Sequence, residues 1–548
     1  MRASLDNSLR GVIPVLASLV LLAGCVDTGS GDTDGATDAD PENDPYPMTA
    51  IEVENVREAE ILIVIDNSAS MGAVQANLAA SIGALTEALD GINYRIAITT
   101  TDDGNYWCTG EGEAGHFVAS SCRERLADFE LDDDDARASC TDVCNVESLD
   151  ILPTTATNEP TTASRPWLEV IDGVSNLGGG VSIEDALRCA IPLGVSGCGF
   201  ESPLESMLKA LQWSADPQEG EYGFQREHSV LGILFVTDEA DCSANPVHAS
   251  MLFGEPGVGN QEFWSVHNGG TPTSAACWNA GVHCDFPPEG GECLAVDHTA
   301  DGDHIWSSEW AADDAVLHPL SRYTALLEAI ELAKQDAGML VDVVVAGVVG
   351  VPEGFQEDGR IVYAEGPDGW SPSSFQAKYG IGPGCVNETT EAVPPVRLRE
   401  FTEAASGAEV PPLFSVCGSD YSPALQAFAE AIREELPRSC FRSCAGDADP
   451  MQAGFQPECS VEQIFIDVDG QRVVTELPEC SDGVIPDGAD VCVRFLTGSD
   501  LSASCADDGF NLEFEFIRRP GTYVDGAQFS ADCEFSENTE VDCPGLPS

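Results

Sequence analysis

One aspartate and two serines, spaced Asp66-x-Ser68-x-Ser70, follow directly on the apolar run Ile61 to Ile65. A carboxylate and two hydroxyls on one tight loop are hard oxygen donors, the set that a divalent cation such as Mg²⁺ prefers. A softer set, His283, Cys284, Cys293, His298 and His304, lies later in the chain. Nitrogen and sulfur donors suit zinc, but these spacings match no standard zinc pattern. Catalytic signatures are missing: the chain has no His-Glu-x-x-His, no Gly-x-Ser-x-Gly elbow, no Walker loop and no dinucleotide fingerprint. Gly178-Gly179-Gly180 has no phosphate-binding context and reads as a turn. The chain is therefore read as a non-enzyme.

The elements that must position these residues follow from hydrophobic pattern. Ile61–Ile65 lacks polar alternation, which predicts a strand buried on both faces. Leu78, Ile82, Leu85 and Leu89 then fall on one helical face. Further strands are expected at Tyr94–Thr100, at Leu231–Thr237 ending in Asp238, at Leu340–Ala346 and at Pro412–Val416. Helices are expected at Leu204–Trp213, at Pro319–Lys334 and from Ser422 to Pro437, with Ser422 as the N-cap and Pro423 in the first turn. This alternation predicts an α/β fold with a doubly wound, mostly parallel sheet over 52–437. Three segments, 102–180, 239–316 and 349–395, exceed ordinary connections. Each follows a strand, so each should leave the sheet's carboxyl edge, where open α/β sheets bind ligands. Their cysteines suggest a disulfide-stapled cap. Residues 438–548 change to short β-rich runs, with a hairpin expected over Gln463–Val474 around Asp469-Gly470 and a half-buried strand over Asn511–Ile517.

The strand, the Asp-x-Ser-x-Ser loop and the following Met71-Gly72 resemble a von Willebrand factor type A domain. In that family the loop opens a metal-ion-dependent adhesion site on a Rossmann-like sheet. The resemblance implies that Asp66, Ser68 and Ser70 share a Mg²⁺ (alternatively Mn²⁺ or Ca²⁺) with an Asp after a later strand, matched by Asp238. It also implies a Thr from a second loop. Here that loop reads Gly199-Phe200-Glu201-Ser202-Pro203-Leu204, so Ser202 takes the Thr position and Glu201 is the alternative ligand. An open site implies binding of a protein or surface polymer through an acidic side chain, in adhesion or envelope assembly. A carboxylate from Glu201 would satisfy more of the metal's charge and weaken the open position. The alternatives are a structural envelope protein with a vestigial metal site and a secreted hydrolase with its active site in the long segments.

Composition narrows the setting. Of 548 residues, 94 are Asp or Glu against 24 Lys or Arg, a formal charge of −70, which disfavours nucleic acid and anionic membrane surfaces as partners. Residues 1–24 read as a signal peptide, with Arg2 and Arg10 and an apolar stretch from Gly11 to Leu22 too short to span a bilayer. Leu22-Ala23-Gly24-Cys25 resembles a bacterial lipobox, which implies a lipidated Cys25 and a membrane-anchored protein of the outer membrane or cell surface. Residues 25–51 are acidic and poor in large apolar side chains, a flexible tether. Of the 21 cysteines, 20 remain after Cys25; twelve lie between Cys108 and Cys417 and eight between Cys440 and Cys543. Even numbers in each region allow disulfides within each, as expected of an oxidising compartment.

Overall fold

The computed structural model describes residues 49–53, 58–105, 112–131, 134–156, 159–254, 261–268, 271–285, 291–305, 311–337, 339, 341–371, 373–408, 410–436, 439–448, 455–466, 471–481, 483–502, 505–506, 508–519, 522, 524 and 527–546. The signal peptide, Cys25 and the tether up to residue 48 lie outside them, as does the Asp469-Gly470 turn. Among the described residues no helix is long and apolar enough to cross a membrane.

A seven-stranded mixed sheet forms the centre. Its strands are β1 (Glu58–Ile65), β2 (Asn93–Thr100), β3 (Leu168–Ile171), β4 (Val174–Ser175), β5 (Val230–Val236), β6 (Val344–Val349) and β7 (Leu413–Ser415), in the spatial order β7-β6-β5-β1-β2-β3-β4. The pairs from β2 through β7 are parallel, whereas β3 runs antiparallel to β2 and β4 antiparallel to β3. The chain winds outward from β1 in one direction, then returns to β5 on its other side and winds outward again. This is a generic doubly wound α/β architecture, and its switch point lies between β1 and β5.

Side-chain alternation explains why β1 shows no polar period. Ile61, Ile63 and Ile65 join one core and Leu62 and Val64 the other. The first core is filled by α1 (Gly72–Ser81), α2 (Gly83–Ala88), α3 (Ile183–Ala190) and α7 (Ser422–Glu435), through residues such as Leu78, Ile82, Leu187 and Phe428. The second is filled by α4 (Pro203–Ala215), α5 (Ser321–Asp336) and α6 (Val396–Ser406), through Leu204, Met207, Tyr323 and Phe401.

Several expectations change in detail. The segment 102–180 does not stand wholly outside the sheet, since it supplies β3 and β4. Strand β6 begins at Val344, not Leu340. Helix α7 has Tyr421 at its N-cap position with no side-chain cap; Asp420 instead accepts the Ser422 amide at 2.9 Å. Cys284 and Cys293 form a disulfide across two facing strands, so neither can offer zinc a thiolate.

The cysteine-rich regions are stapled internally. Cys122–Cys140, Cys144–Cys189, Cys242–Cys277 and Cys385–Cys417 join Cys284–Cys293 in the α/β part, and Cys198 is also disulfide-bonded. All eight C-terminal cysteines pair among themselves, as Cys440–Cys505, Cys444–Cys543, Cys459–Cys533 and Cys480–Cys492. This small β-rich part contains an antiparallel sheet of Cys459–Ile466, Arg472–Glu476 and Gln528–Cys533, joined by Thr49–Val53 from the start of the fold. A second pair, Val491–Leu496 with Glu513–Arg518, packs Val493 and Phe514 into the same core as Phe529.

Candidate functional site

Strands β1 and β5 end side by side, with Ile65 opposite Val236, and the Asp66 amide donates to the Val236 carbonyl at 2.9 Å. Asp66 and Asp238 therefore emerge together at the switch point. The chain after Asp66 turns sharply, the Met71 amide donating to the Ser68 carbonyl at 3.1 Å, and α1 begins at Gly72. Within this turn Asp66 Oδ1 accepts the Ser68 amide at 2.8 Å, and the Ser68 and Ser70 hydroxyls lie 3.3 Å apart. Ser70 Oγ donates to Asp238 Oδ1 at 3.1 Å, and Thr237 Oγ1 donates to Asp66 Oδ2 at 2.6 Å. Asp66, Ser68, Ser70 and Asp238 thus form one connected group, in which Ser70 is exposed and both aspartates are buried.

Glu201 and Ser202 behave differently from each other. Glu201 is wholly buried and accepts a hydrogen bond from Thr101, at the end of β2. The Ser202 hydroxyl faces the Cys242 carbonyl at 2.9 Å and the Phe200 carbonyl at 3.4 Å, while its amide donates to the Thr101 carbonyl at 2.9 Å. Ser202 is used to hold loops together. Gly197 permits the same close packing: a Cβ there would meet Asn67 Oδ1 at 2.1 Å, and its amide donates to the Asn67 carbonyl at 2.9 Å.

Glu239 joins Asp66, Asp238 and Glu201 at this edge, also buried and close enough to feel both aspartates. Burial pushes every one of them up, because a charged carboxylate loses its water there. Asp66 is raised by burial against the hydrogen bonds from Thr237 and Ser68. Asp238 is pushed up to about 8 by burial and then by the Asp66 charge. Glu201 lies well above the ordinary range through burial and the charges of Asp66, Glu239 and Asp102; Glu239 does so through burial, Asp66 and Asp238. Asp238 Oδ2 and Glu201 Oε1 are buried with no hydrogen-bond partner. Buried carboxylates of this kind need protons or a cation to neutralise them. An all-oxygen group of carboxylates and hydroxyls fits Mg²⁺, Mn²⁺ or Ca²⁺.

Sequence reasoning missed several supports. Gln75, wholly buried, donates to the Asp66 and Gly194 carbonyls, both at 2.8 Å, and accepts the Leu193 amide at 3.0 Å. Its only signal was a polar residue within an apolar helix. Thr237 and Glu239 flank Asp238 and could have been included with it. Ser274 Oγ donates to Glu239 Oε2 at 2.9 Å, and Tyr379 also hydrogen-bonds Glu239. Those contacts bring the second and third long segments onto the carboxylate cluster.

A second group lies elsewhere. Among the described residues His116, Glu219 and Glu221 place three ligand atoms within 4.8 Å of one another, close enough to coordinate a divalent cation.

No protein-family model matches the chain, and no curated protein does. Among solved structures one match is the crystal structure of the pilus adhesin SpaC from Lactobacillus rhamnosus GG, at 10% identity and a TM-score of 0.26. The match covers 90% of this chain but 44% of that one. At that TM-score it supports neither a shared fold nor a shared role.

Proposed function

We propose that this chain is an exported structural protein of the cell envelope, anchored through Cys25. Its von Willebrand A-type site is a closed carboxylate cluster that uses a divalent cation for stability. One observation carries the reading: Glu201 adds a carboxylate to Asp66 and Asp238, while the Ser202 hydroxyl is turned onto the Cys242 carbonyl. A cation held by Asp66, Ser68, Ser70 and Asp238, with Glu201 beside it, meets more negative charge than an open adhesion site offers. Mg²⁺, Mn²⁺ or Ca²⁺ supplies charge neutralisation there. The internal disulfides support an oxidising, extracytoplasmic location.

Adhesion through the same site is the second reading. It is favoured by the exposed Ser70, which leaves one side of the group open to solvent, and by the unpaired Asp238 Oδ2, a lone pair free to hold the cation that an incoming acidic group would share. One experiment separates the two. The full chain and Asp66→Ala are melted with and without Mg²⁺ and passed over immobilised polyglutamate. Under the structural reading, cation at a hundredfold excess over Kd adds about 2.7 kcal/mol of stability. That gain is lost in Asp66→Ala, and nothing is retained on the matrix. Mg²⁺-dependent retention reversed by EDTA would establish adhesion instead. An unchanged melting curve in Mg²⁺, Mn²⁺ and Ca²⁺ would remove the cation from both readings.

A further inference from the structure

We propose that His116, Glu219 and Glu221 form a transition-metal site, distinct in chemistry from the all-oxygen cluster at Asp66 and independent of the function proposed for it. The three donors come from two segments that the fold holds rigidly together. His116 lies in the first long segment, where the Thr99 hydroxyl donates to its carbonyl at 2.9 Å and the next residue but one, Val118, donates its amide to the Ile98 carbonyl at 2.7 Å. Glu219 and Glu221 lie in the turn that follows α4, closed by the Glu219 amide on the Asp216 carbonyl at 3.0 Å and the Phe224 amide on the Glu221 carbonyl at 3.1 Å.

Two of the ligands are also oriented. The His116 ring stacks on Trp213, near the end of α4, with centroids 5.1 Å apart and planes 4° from parallel. Trp213 Nε1 donates to the Ala114 carbonyl at 2.9 Å, which fixes the indole against the same loop. Gly115 makes the approach possible: it has φ +86°, and a Cβ there would lie 2.6 Å from the Ala210 amide nitrogen of α4. Glu221 is buried and pinned by the Phe117 amide at 3.3 Å; its Oε1 also shares a proton with His116 Nδ1 at 3.0 Å, a contact in which the metal would take the proton's place. His116 itself is exposed and Glu219 half-buried, so the site can fill from solvent.

The donor set selects the metal class. One imidazole and two carboxylates carry two negative charges, and the nitrogen favours Zn²⁺, Co²⁺ or Ni²⁺ over Mg²⁺ and Ca²⁺, which prefer oxygen throughout. Three protein donors leave positions for water, the arrangement of an open rather than a sealed zinc site. A metal bound here joins the first long segment to the turn after α4.

The test uses the full chain without a histidine tag, in saturating Mg²⁺ so that hard-oxygen sites are filled. Co²⁺ is titrated and followed by its visible absorption, then displaced by Zn²⁺. The expected result is one site per chain whose affinity falls at least tenfold in both His116→Ala and Glu219→Gln, with the Mg²⁺ melting response unchanged. Full-affinity binding in either variant overturns the proposal, as does no Co²⁺ absorption in the wild type. So does loss of the band in His304→Ala with retention in His116→Ala. That result would move the metal to the cluster of His283, His298 and His304, in which the His304 ring centroid lies 4.9 Å from that of His283 and 4.4 Å from that of His298. If His116→Ala does not fold, Glu219→Gln alone decides: a tenfold loss supports the site and an unchanged affinity rejects it.

Discussion

The two ends of the central sheet both bury carboxylates, but they neutralise them differently. At the amino end of β1, Glu58 and Glu60 meet Arg226, whose Nη1 lies 2.9 Å from Glu58 and whose Nε bonds Glu60. Ser229 donates to Glu60, and Lys334 Nζ donates to the Arg226 and Ser229 carbonyls at 2.9 and 2.7 Å. At the carboxyl end, the hydrogen bonds described for Asp66, Asp238, Glu201 and Glu239 come from backbone amides and from Ser, Thr and Tyr hydroxyls. The chain carries its own counter-charge for Glu58 and Glu60. For Asp66, Asp238, Glu201 and Glu239 that task falls, under the proposed function, to protons or a cation, which can be exchanged, although Asp241 nearby is paired with Arg397. On that reading the first group is permanent structure and the second a site.

The largest expected effect breaks the permanent end. Arg226→Met leaves Glu58 and Glu60 buried without their counter-charge, and removing one partner of a buried pair costs about 3–5 kcal/mol. Chemical or thermal melting should show this loss equally with and without Mg²⁺. A loss under about 1 kcal/mol would mean that water reaches this end and that the contrast between the two ends is false.

A smaller effect sharpens the contrast by pH. Asp238, raised to about 8, and its neighbours hold protons in the folded chain that the unfolded chain releases near pH 4. Between those values the native state binds more protons, so stability of the metal-free protein falls as pH rises. Lowered histidines act oppositely below about pH 6.5, His318 at about 4 among them, so the clean window is pH 7 to 8.5. The melting temperature in EDTA should decline across that window, and saturating Mg²⁺ should flatten the slope. A metal-free melting temperature independent of pH would show that the carboxylates are already ionised and compensated.

How much of this was legible in the sequence depended on range. Ile61–Ile65 and Leu231–Thr237 announced themselves because burial on both faces leaves long apolar runs, and Asp66 and Asp238 are fixed by where those runs end. The run around Val344 gave the strand but not its register, since a continuous apolar stretch carries no phase. Strand β3 has four residues within a long cysteine-rich segment, too few for a period to show. His116 and Glu221 are 105 residues apart, one before α4 and one after it, and long-range contacts such as the Gly115 approach to that helix bring them together. The Glu201-Ser202 loop offered two oxygens at one position. Which of them faces the aspartates was decided by the Cys242 carbonyl, delivered by a different loop.

That choice yields the smallest expected effect and the most discriminating one. Ser202→Ala removes the hydroxyl from the Cys242 carbonyl, a buried hydrogen bond worth about 0.5–1.5 kcal/mol net. If the hydroxyl serves only to join the loops, the loss should be the same in EDTA and in Mg²⁺, and the midpoint of the Mg²⁺ titration should not move. If the hydroxyl swings onto a bound cation, as the Thr position of an adhesion site implies, the substitution should weaken Mg²⁺ binding and leave the metal-free protein less affected. Glu201→Gln supplies the converse. It keeps a side chain able to bond Thr101 and stays neutral without taking up a proton on folding, so at neutral pH the metal-free protein should gain stability and the Mg²⁺ response should shrink. Opposite signs for neighbouring residues would separate a loop fastener from a ligand, and they would tell a closed carboxylate site from an open one.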